Sequence, residues 1–283
     1  MKSTVEKGVV RSVQVVSISS LKGGVGKTSV TLGLASAALA AGIPTLVIDL
    51  DPHADASTGL GVRADDKLTI GKMLKIARKA ELSRNIVSSS WQSKVATKRS
   101  LTRVPVLDVA VGDAYTGIYD RPDLRARDLR RLTQLLARTS GYALVLIDCP
   151  PSLNGLTRMA WSASDRVVLV AEPSLFSVAG TERTQRALEM FRKEYAPDLG
   201  PIDVVVNRVR KDSTEHAFRL TEMRSMFGTS VLTPELPEFS EWQQIQGAAY
   251  SVHQWPGEGA KRTAELFDSL LRNITETPKT AAK

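Results

Sequence analysis

The stretch VQVVSISSLKGGVGKT, residues 13–28, decides the fold. Its first half, residues 13–19, is a β-branched run without helical period, which predicts a buried strand. Its second half, Lys22-Gly23-Gly24-Val25-Gly26-Lys27-Thr28, is a glycine-rich turn closed by Lys-Thr. Residues 28–41 are Ala-rich and free of proline, a good helix former that Gly42 and Pro44 stop. TLVID, residues 45–49, is the next strand. Strand, glycine loop, helix, strand is the opening βαβ unit of a parallel sheet. Glycines let such a loop curl until successive N–H groups point at phosphate oxygens, and the helix adds its positive end. Lys27 is placed to reach β and γ oxygens and the Thr28 hydroxyl to ligate Mg2+. We take Gly23, Gly24, Val25, Gly26, Lys27, Thr28 and Ser29 as the nucleotide-binding set. Against the usual G-x-x-x-x-G-K-[ST] pattern, Leu21 stands where the first glycine belongs, and a second lysine, Lys22, follows it.

Outward from this unit the alternation continues. Residues 69–80 read as a short basic amphipathic helix, with Ile70, Met73, Leu74 and Ala77 on one side and Lys72, Lys75 and Lys79 on the other. Residues 83–102, rich in Ser, Thr and Lys, read as a loop, 104–111 as a strand and 124–139 as a helix. The strongest strand is ALVLID, residues 143–148, which runs into Cys149-Pro150-Pro151. Strands at 166–171 and 203–207 each precede a helical stretch. Residues 231–236 read as an edge strand and 260–274 as a closing helix. Neither a linker nor a repeat interrupts this pattern. It predicts an α/β fold, a doubly wound and mostly parallel sheet with helices on both faces. We expect a single domain over residues 1–283, with its core at about 12–275, a basic insert-like segment at 63–103 and a short polar tail at 275–283.

Composition narrows the class. The 283 residues are 42% hydrophobic and 24% charged, a globular balance. The single cysteine, Cys149, excludes an intrachain disulfide framework and any metal site needing two thiolates from one chain. His53, His216 and His253 have no metal-ligand spacing. No apolar run is long enough to span a membrane, and the N-terminal residues lack a signal-peptide core. We therefore expect a cytoplasmic, nucleoid-associated protein. The formal net charge is +8, and residues 63–103 hold eleven basic against three acidic residues, so their surplus equals that of the whole chain. A local field of this kind fits a polyanionic partner, nucleic acid or anionic membrane, as well as a merely solvated face.

The motifs resemble one family. K-G-G-V-G-K-T is similar to the deviant Walker A motif of the ParA/MinD group of P-loop ATPases. LVIDLDPHADAST, residues 46–58, resembles switch I of the ParA/Soj partition ATPases, and Asp148-Cys149-Pro150-Pro151-Ser152 resembles their Walker B and switch II. The likeness covers roughly residues 12–275. It implies a Mg-ATP-dependent switch in which Lys27 and the Gly24 and Gly26 backbone hold the β and γ phosphates. Lys22 would reach the nucleotide of a partner subunit, so that ATP favours a homodimer. Asp51 would orient the attacking water; with Lys22 and Lys27 it forms the expected catalytic set, since phosphoryl transfer needs positioning and charge neutralisation. The implied metal set is Thr28, Asp49 and Asp148. Asn207 falls where the family contacts adenine, and Pro237 in the segment that closes over the base. Asp49 also fits a strand-end residue capping a turn, and Asn207 a loop residue bonding its own backbone. Cys149 reads as a buried filler beside the site.

Within the group, the iron–sulfur carriers bridge a cluster with two cysteines per subunit and are excluded. MinD-like members end in a membrane-binding helix; here Ala264, Phe267, Leu270, Leu271 and Ile274 form a stripe expected to pack on the sheet, so no membrane anchor is expected. The ParA/Soj branch remains. It implies non-specific DNA binding by the ATP dimer, a ParB-like activating protein, and chromosome or plasmid partitioning. The arginines this branch carries near its C-terminus are replaced here by Pro237-Glu238-Phe239-Ser240-Glu241-Trp242. We expect the DNA surface to be redistributed toward Lys72, Lys75, Lys79, Arg208, Arg210 and Lys211. Two alternatives keep the fold: an orphan ParA-like ATPase positioning a division or other cellular complex, and a weakly hydrolysing nucleotide-gated DNA- or membrane-surface binding protein.

Overall fold

The long aliphatic runs become strands of one sheet. A computed structural model describes residues 13–63, 69–99 and 105–276. The chain opens with β1 (Gln14–Ser19), α1 (Lys27–Ala40) and β2 (Thr45–Asp49), then two short helices, α2 (Asp55–Gly59) and α3 (Ile70–Lys75). Next come β3 (Ile86–Ser88), α4 (Ser90–Arg99), β4 (Leu107–Ala110) and a 3-10 strap, Ala114–Tyr119. Two further short helices, α5 (Ala126–Leu129) and α6 (Arg131–Leu136), lead into β5 (Leu144–Asp148) and α7 (Gly155–Ser162). The second half adds β6 (Arg166–Ala171), α8 (Leu175–Tyr195), β7 (Ile202–Val206), α9 (Thr214–Phe227), β8 (Val231–Leu232), α10 (Trp242–Gly247) and α11 (Glu258–Thr275).

The described strands lie in the order β3-β4-β2-β5-β1-β6-β7-β8. Every neighbouring pair is parallel except β3 with β4. Side chains alternate between the faces, as the period of a strand requires. Val16, Ile18, Val47 and Leu146 pack under α1 and α11, where Phe267, Leu270 and Leu271 are buried. Val15, Leu46, Ile48, Val145 and Ile147 face α3, α6 and α7. Beyond β1, Val167, Leu169 and Val204 meet Trp161 of α7, Leu188 of α8 and Met223 of α9. β1 sits where the winding reverses direction, so the crevice beyond its carboxyl end is the place for a ligand. Register sets Asp49 beside Asp148 at the ends of β2 and β5.

Several elements differ from the sequence expectation. Residues 83–102, expected as a loop, supply a 3-10 turn (Leu82–Arg84), the antiparallel edge strand β3 and α4. Trp91 explains the order: it is buried against Leu60 and Val62, while the Ser89 hydroxyl donates to Leu60 O at 2.8 Å and accepts from Trp91 N. The helix expected over 69–80 stops at Lys75, where the Arg131 guanidinium donates to Leu74 O and Lys75 O at 2.8 and 3.2 Å. Ile70, Met73, Leu74 and Ala77 are nevertheless buried together. The helix expected over 124–139 breaks at Arg130 because its leucines serve two cores, Leu129 beside Trp161 and Leu132 with Leu135 on the other cluster. β8 is only two residues long; Pro234, which has no N–H, follows it. Lys67, Arg103 and the tail beyond residue 276 lie outside the described residues.

Candidate functional site

The β1–α1 turn is built as a cradle. Gly24 and Gly26 have φ of 78° and 90°, a region that strains any L side chain. At Gly26 a Cβ would also stand 2.4 Å from Asn207 Nδ2. Asn207 comes from the end of β7 and donates that amide to Val25 O at 2.9 Å, so it braces the loop from behind. Gly26 is the cap of α1, and neither a side-chain cap nor a first-turn acid occupies the helix end. Its N–H groups are left for an anion. Lys27, at the first turn, is only 7% exposed.

Three carboxylates face the cradle. Asp148 is fully buried and accepts from the Thr28 and Thr31 hydroxyls at 2.8 and 2.7 Å. Asp49, equally buried, accepts from the backbone and hydroxyl of Ser57, both at 2.7 Å, and from Asp51 N at 3.3 Å. Asp51, 8% exposed, accepts from His53 N at 3.0 Å. Burial pushes the Asp49 carboxyl up, the Asp148 charge beside it pushes it further, and the Ser57 bonds oppose both. Asp148 is likewise raised, first by burial, against its threonine bonds and Lys27. Two buried carboxylates in adjacent register are short of positive charge, and a divalent cation at the Thr28–Asp148 edge would supply it. Among the described residues no group of three His, Cys, Asp or Glu side chains is arranged around a metal. Mg2+ held by one hydroxyl, phosphate oxygens and water needs none, so the donor set fits Mg2+ with a nucleotide.

Lys22 points elsewhere. Its Nζ lies 3.0 Å from Glu172 Oε2 and 3.5 Å from Ser174 Oγ, and Arg208 takes the other Glu172 oxygen at 2.9 Å. Beyond Asn207 a cleft of about 840 Å³ opens, lined by Ser29, Arg208, Arg210, Lys211, Pro237 and Trp242 among others. Val209 accepts from Glu238 N and donates to Leu236 O, which fastens residues 236–238 along this cleft, and Gln246 Nε2 reaches Ser29 Oγ at 2.9 Å. The structure thus gathers residues 22–29, Asp49, Asp51 and Asp148 around the turn, and sets Asn207, Arg208, Arg210, Lys211 and Pro237 to one side of it. Lys72, Lys75 and Lys79 stand apart, exposed on and just after α3. Cys149 is buried, its thiol pushed up to about 12 by burial. His253 bridges Ser36 of α1 and Asp268 of α11.

Thr31, Ser57, Glu172 and Gln246 escaped the sequence reading. Thr31 lies one turn after Thr28 on the same helix face, and Glu172 directly follows the carboxyl end of a buried strand; both positions are signals. Ser57 and Gln246 reach the site through tertiary contacts that no local pattern marks.

A strand–glycine loop–helix at the switch point of a parallel sheet, with a buried lysine and paired strand-end carboxylates, defines a P-loop nucleoside triphosphatase. A family model described as an AAA domain matches residues 13–200. The chromosome partitioning protein ParA of Caulobacter vibrioides is 32% identical over 229 residues, covering 79% of this chain and 80% of its own. ParA of Myxococcus xanthus is 29% identical over 278 residues, 97% of this chain and 93% of its own. In fold, the chain is similar to cobyrinic acid a,c-diamide synthase from Mycobacterium smegmatis, solved with ADP and magnesium (TM-score 0.73, 22% identity, 93% and 95% of the two chains). The chain belongs to the ParA family of P-loop ATPases. Among the described residues no helix is long and apolar enough to cross a membrane.

Proposed function

We propose that the protein is a Mg-ATP-dependent switch that dimerises on ATP, binds DNA without sequence preference and releases it on hydrolysis, partitioning a chromosome or plasmid with a ParB-like partner. The observation that carries this reading is the division of labour between two lysines. Lys27 is buried in its own phosphate cradle, whereas Lys22, at the mouth of the same loop, is 39% exposed and held by Glu172. An exposed second lysine suits contact with a nucleotide bound by a second copy. Within one subunit, Lys27 and the loop N–H groups bind phosphate oxygens, and Thr28 with Asp148 and Asp49 forms the cation-binding edge. Asp51, anchored by His53 N, orients water. Asn207 and Pro237 bound the base cleft. Mg2+ supplies charge neutralisation on the phosphates.

Turnover and light scattering on the full chain test this. Lys27→Ala is expected to abolish ATP binding. Asp51→Ala is expected to keep ATP-driven dimerisation and to lose hydrolysis; rapid turnover by Asp51→Ala refutes the assignment. A second reading, positioning of another cellular complex by the same switch, is favoured by residues 237–242. Phe239 and Trp242 are committed edge-to-face to the Phe267 cluster, and no arginine is present there. Stimulation of hydrolysis by a ParB-like protein with DNA favours partitioning; stimulation only by another cargo adaptor favours the second reading.

A further inference from the structure

Two cationic segments far apart in sequence meet on one face. α3 and the turn after it expose Lys72, Lys75, Arg78 and Lys79. Beside them pack α5 and α6, whose segment Arg125-Ala126-Arg127-Asp128-Leu129-Arg130-Arg131 exposes Arg125, Arg127 and Arg130. A groove of about 410 Å³ runs between the two, lined by Lys75, Arg78, Lys79, Arg127 and Arg131. A second, of about 320 Å³, lies across Ile76 between Lys72, Lys79 and Arg84. The acids of this face are engaged: Glu81 holds Arg84 at 2.8 Å and Asp128 holds Arg131 at 2.7 Å. Its large exposed apolar side chain is Ile76. Protein interfaces are built around an apolar, aromatic-rich centre. Shallow grooves rimmed by ammonium and guanidinium groups instead suit a polyphosphate backbone, which is bound by charge and read without base contacts.

This face is wired to the nucleotide site by the strap Ala114–Tyr119. At α3's start, Asp113 accepts from Thr69 at 2.8 Å and from Thr116 at 3.0 Å, and a Cβ on Gly71 would stand 2.8 Å from Thr116 N. At α3's end, Arg131 binds the last carbonyls and stands over the Tyr119 ring at 5.7 Å. The strap therefore grips both ends of α3. On its other side, Ser152, four residues past Asp148, bonds the Asp120 carboxylate at 2.9 and 3.0 Å. A Cβ on Gly117 would contact Pro52, next to Asp51, at 3.5 Å. Both segments that flank the phosphate site thus touch the element that holds the cationic helix.

We propose that the α3–α5 face is a phosphodiester-binding surface whose geometry the nucleotide site sets through the 114–120 strap. The proposal rests on the ATP-switch reading above and adds to it the surface and the linkage.

Anisotropy with a random-sequence duplex, at several salt concentrations and with Mg-ATP or Mg-ADP, tests each part on the full chain. Lys75→Glu with Lys79→Glu is expected to weaken ATP-state binding at least tenfold and to flatten the log–log salt slope by about 2, at about 0.9 per phosphate contact. Lys261→Glu on α11, an exposed control, is expected to change little. Lys75→Gln with Lys79→Gln gives the same readout without introduced repulsion. Asp120→Ala, which removes the acceptor of the Ser152 hydroxyl, is expected to bring the ATP/ADP affinity ratio close to 1 while nucleotide affinity stays unchanged. Loss of binding no greater than for Lys261→Glu overturns the surface. A preserved ATP/ADP ratio in Asp120→Ala overturns the linkage. Tighter binding of polyglutamate of matched charge than of duplex overturns the phosphodiester assignment in favour of an acidic protein. Absence of any ATP effect on wild-type DNA binding overturns the underlying functional reading instead.

Discussion

Glu172 shows how one carboxylate sets the state of a lysine at the mouth of the glycine loop. It sits between Lys22 and Arg208 and pairs with both, one oxygen to each. A lysine recruited by a second copy's nucleotide must first leave this pair. Because the ion pair is partly exposed, its worth is small, about 0.2–1 kcal/mol. Glu172→Gln is therefore expected to strengthen ATP-dependent dimerisation by up to about fivefold, on the same scale; sedimentation velocity across a concentration series reads it, and weaker dimerisation would show that Glu172 supports the contact. Gly26 is the opposite case, a position where nothing can be added. Gly26→Ala forces a Cβ into a positive-φ site and against the Asn207 amide. Loss of nucleotide binding and a stability loss above about 1 kcal/mol are expected, measured by calorimetric titration and urea unfolding.

At the scale of elements, the paired ends of β2 and β5 control the pH response. Asp49 and Asp148 hold protons in the fold at pH values where the unfolded chain, with its carboxyls near 3.8, has lost them. Raised carboxyl values stabilise fully below the unfolded value, and that contribution is lost as pH rises through the folded values. Without nucleotide, the melting temperature is expected to fall between pH 5.5 and 8. Asp49→Asn is expected to flatten that decline, as is saturating Mg-ADP; a slope unchanged in Asp49→Asn refutes the carboxylate origin. The β1–α1–β2 unit and the strand ending in Asp148 are legible in sequence because β-branched runs, glycines and a strand-end carboxylate are local signals. α4 is not, since its polar sequence is ordered by one aromatic anchor seated in a pocket that distant residues make. Trp91→Ala should accordingly cost about 3–5 kcal/mol in urea unfolding, the range for emptying a large core site. The Ser57 and Gln246 contacts share this illegibility: sequence shows which residues are able to bond, and only the packed layers decide which ones do.

At the scale of the whole molecule, the nucleotide site lies where several layers join. α1, which carries the cradle, is buried along most of its length and tied to α11 through Phe267 and the Ser36–His253–Asp268 chain. The cradle is braced from β7 by Asn207, and its carboxylates come from β2 and β5. Unfolding any of these layers dismantles the site, so a nucleotide binds the folded chain and not the unfolded one. Ligand at 100 times its dissociation constant then adds about 2.7 kcal/mol of stability. For a domain of this size class each kcal/mol raises the melting temperature by about 2–4 °C. Mg-ADP at that saturation is expected to raise the midpoint by about 5–10 °C, on the combined scale of those two relations. Lys27→Ala is expected to lose the shift, since it removes a phosphate contact and leaves the buried layers in place. Replacing Mg2+ by EDTA is expected to shrink the shift in the wild type, because the Asp49–Asp148 pair then meets phosphate charge without a cation between them. A full shift in Lys27→Ala would place the nucleotide outside the β1–α1 turn, and an EDTA-insensitive shift would remove the carboxylate pair from cation binding.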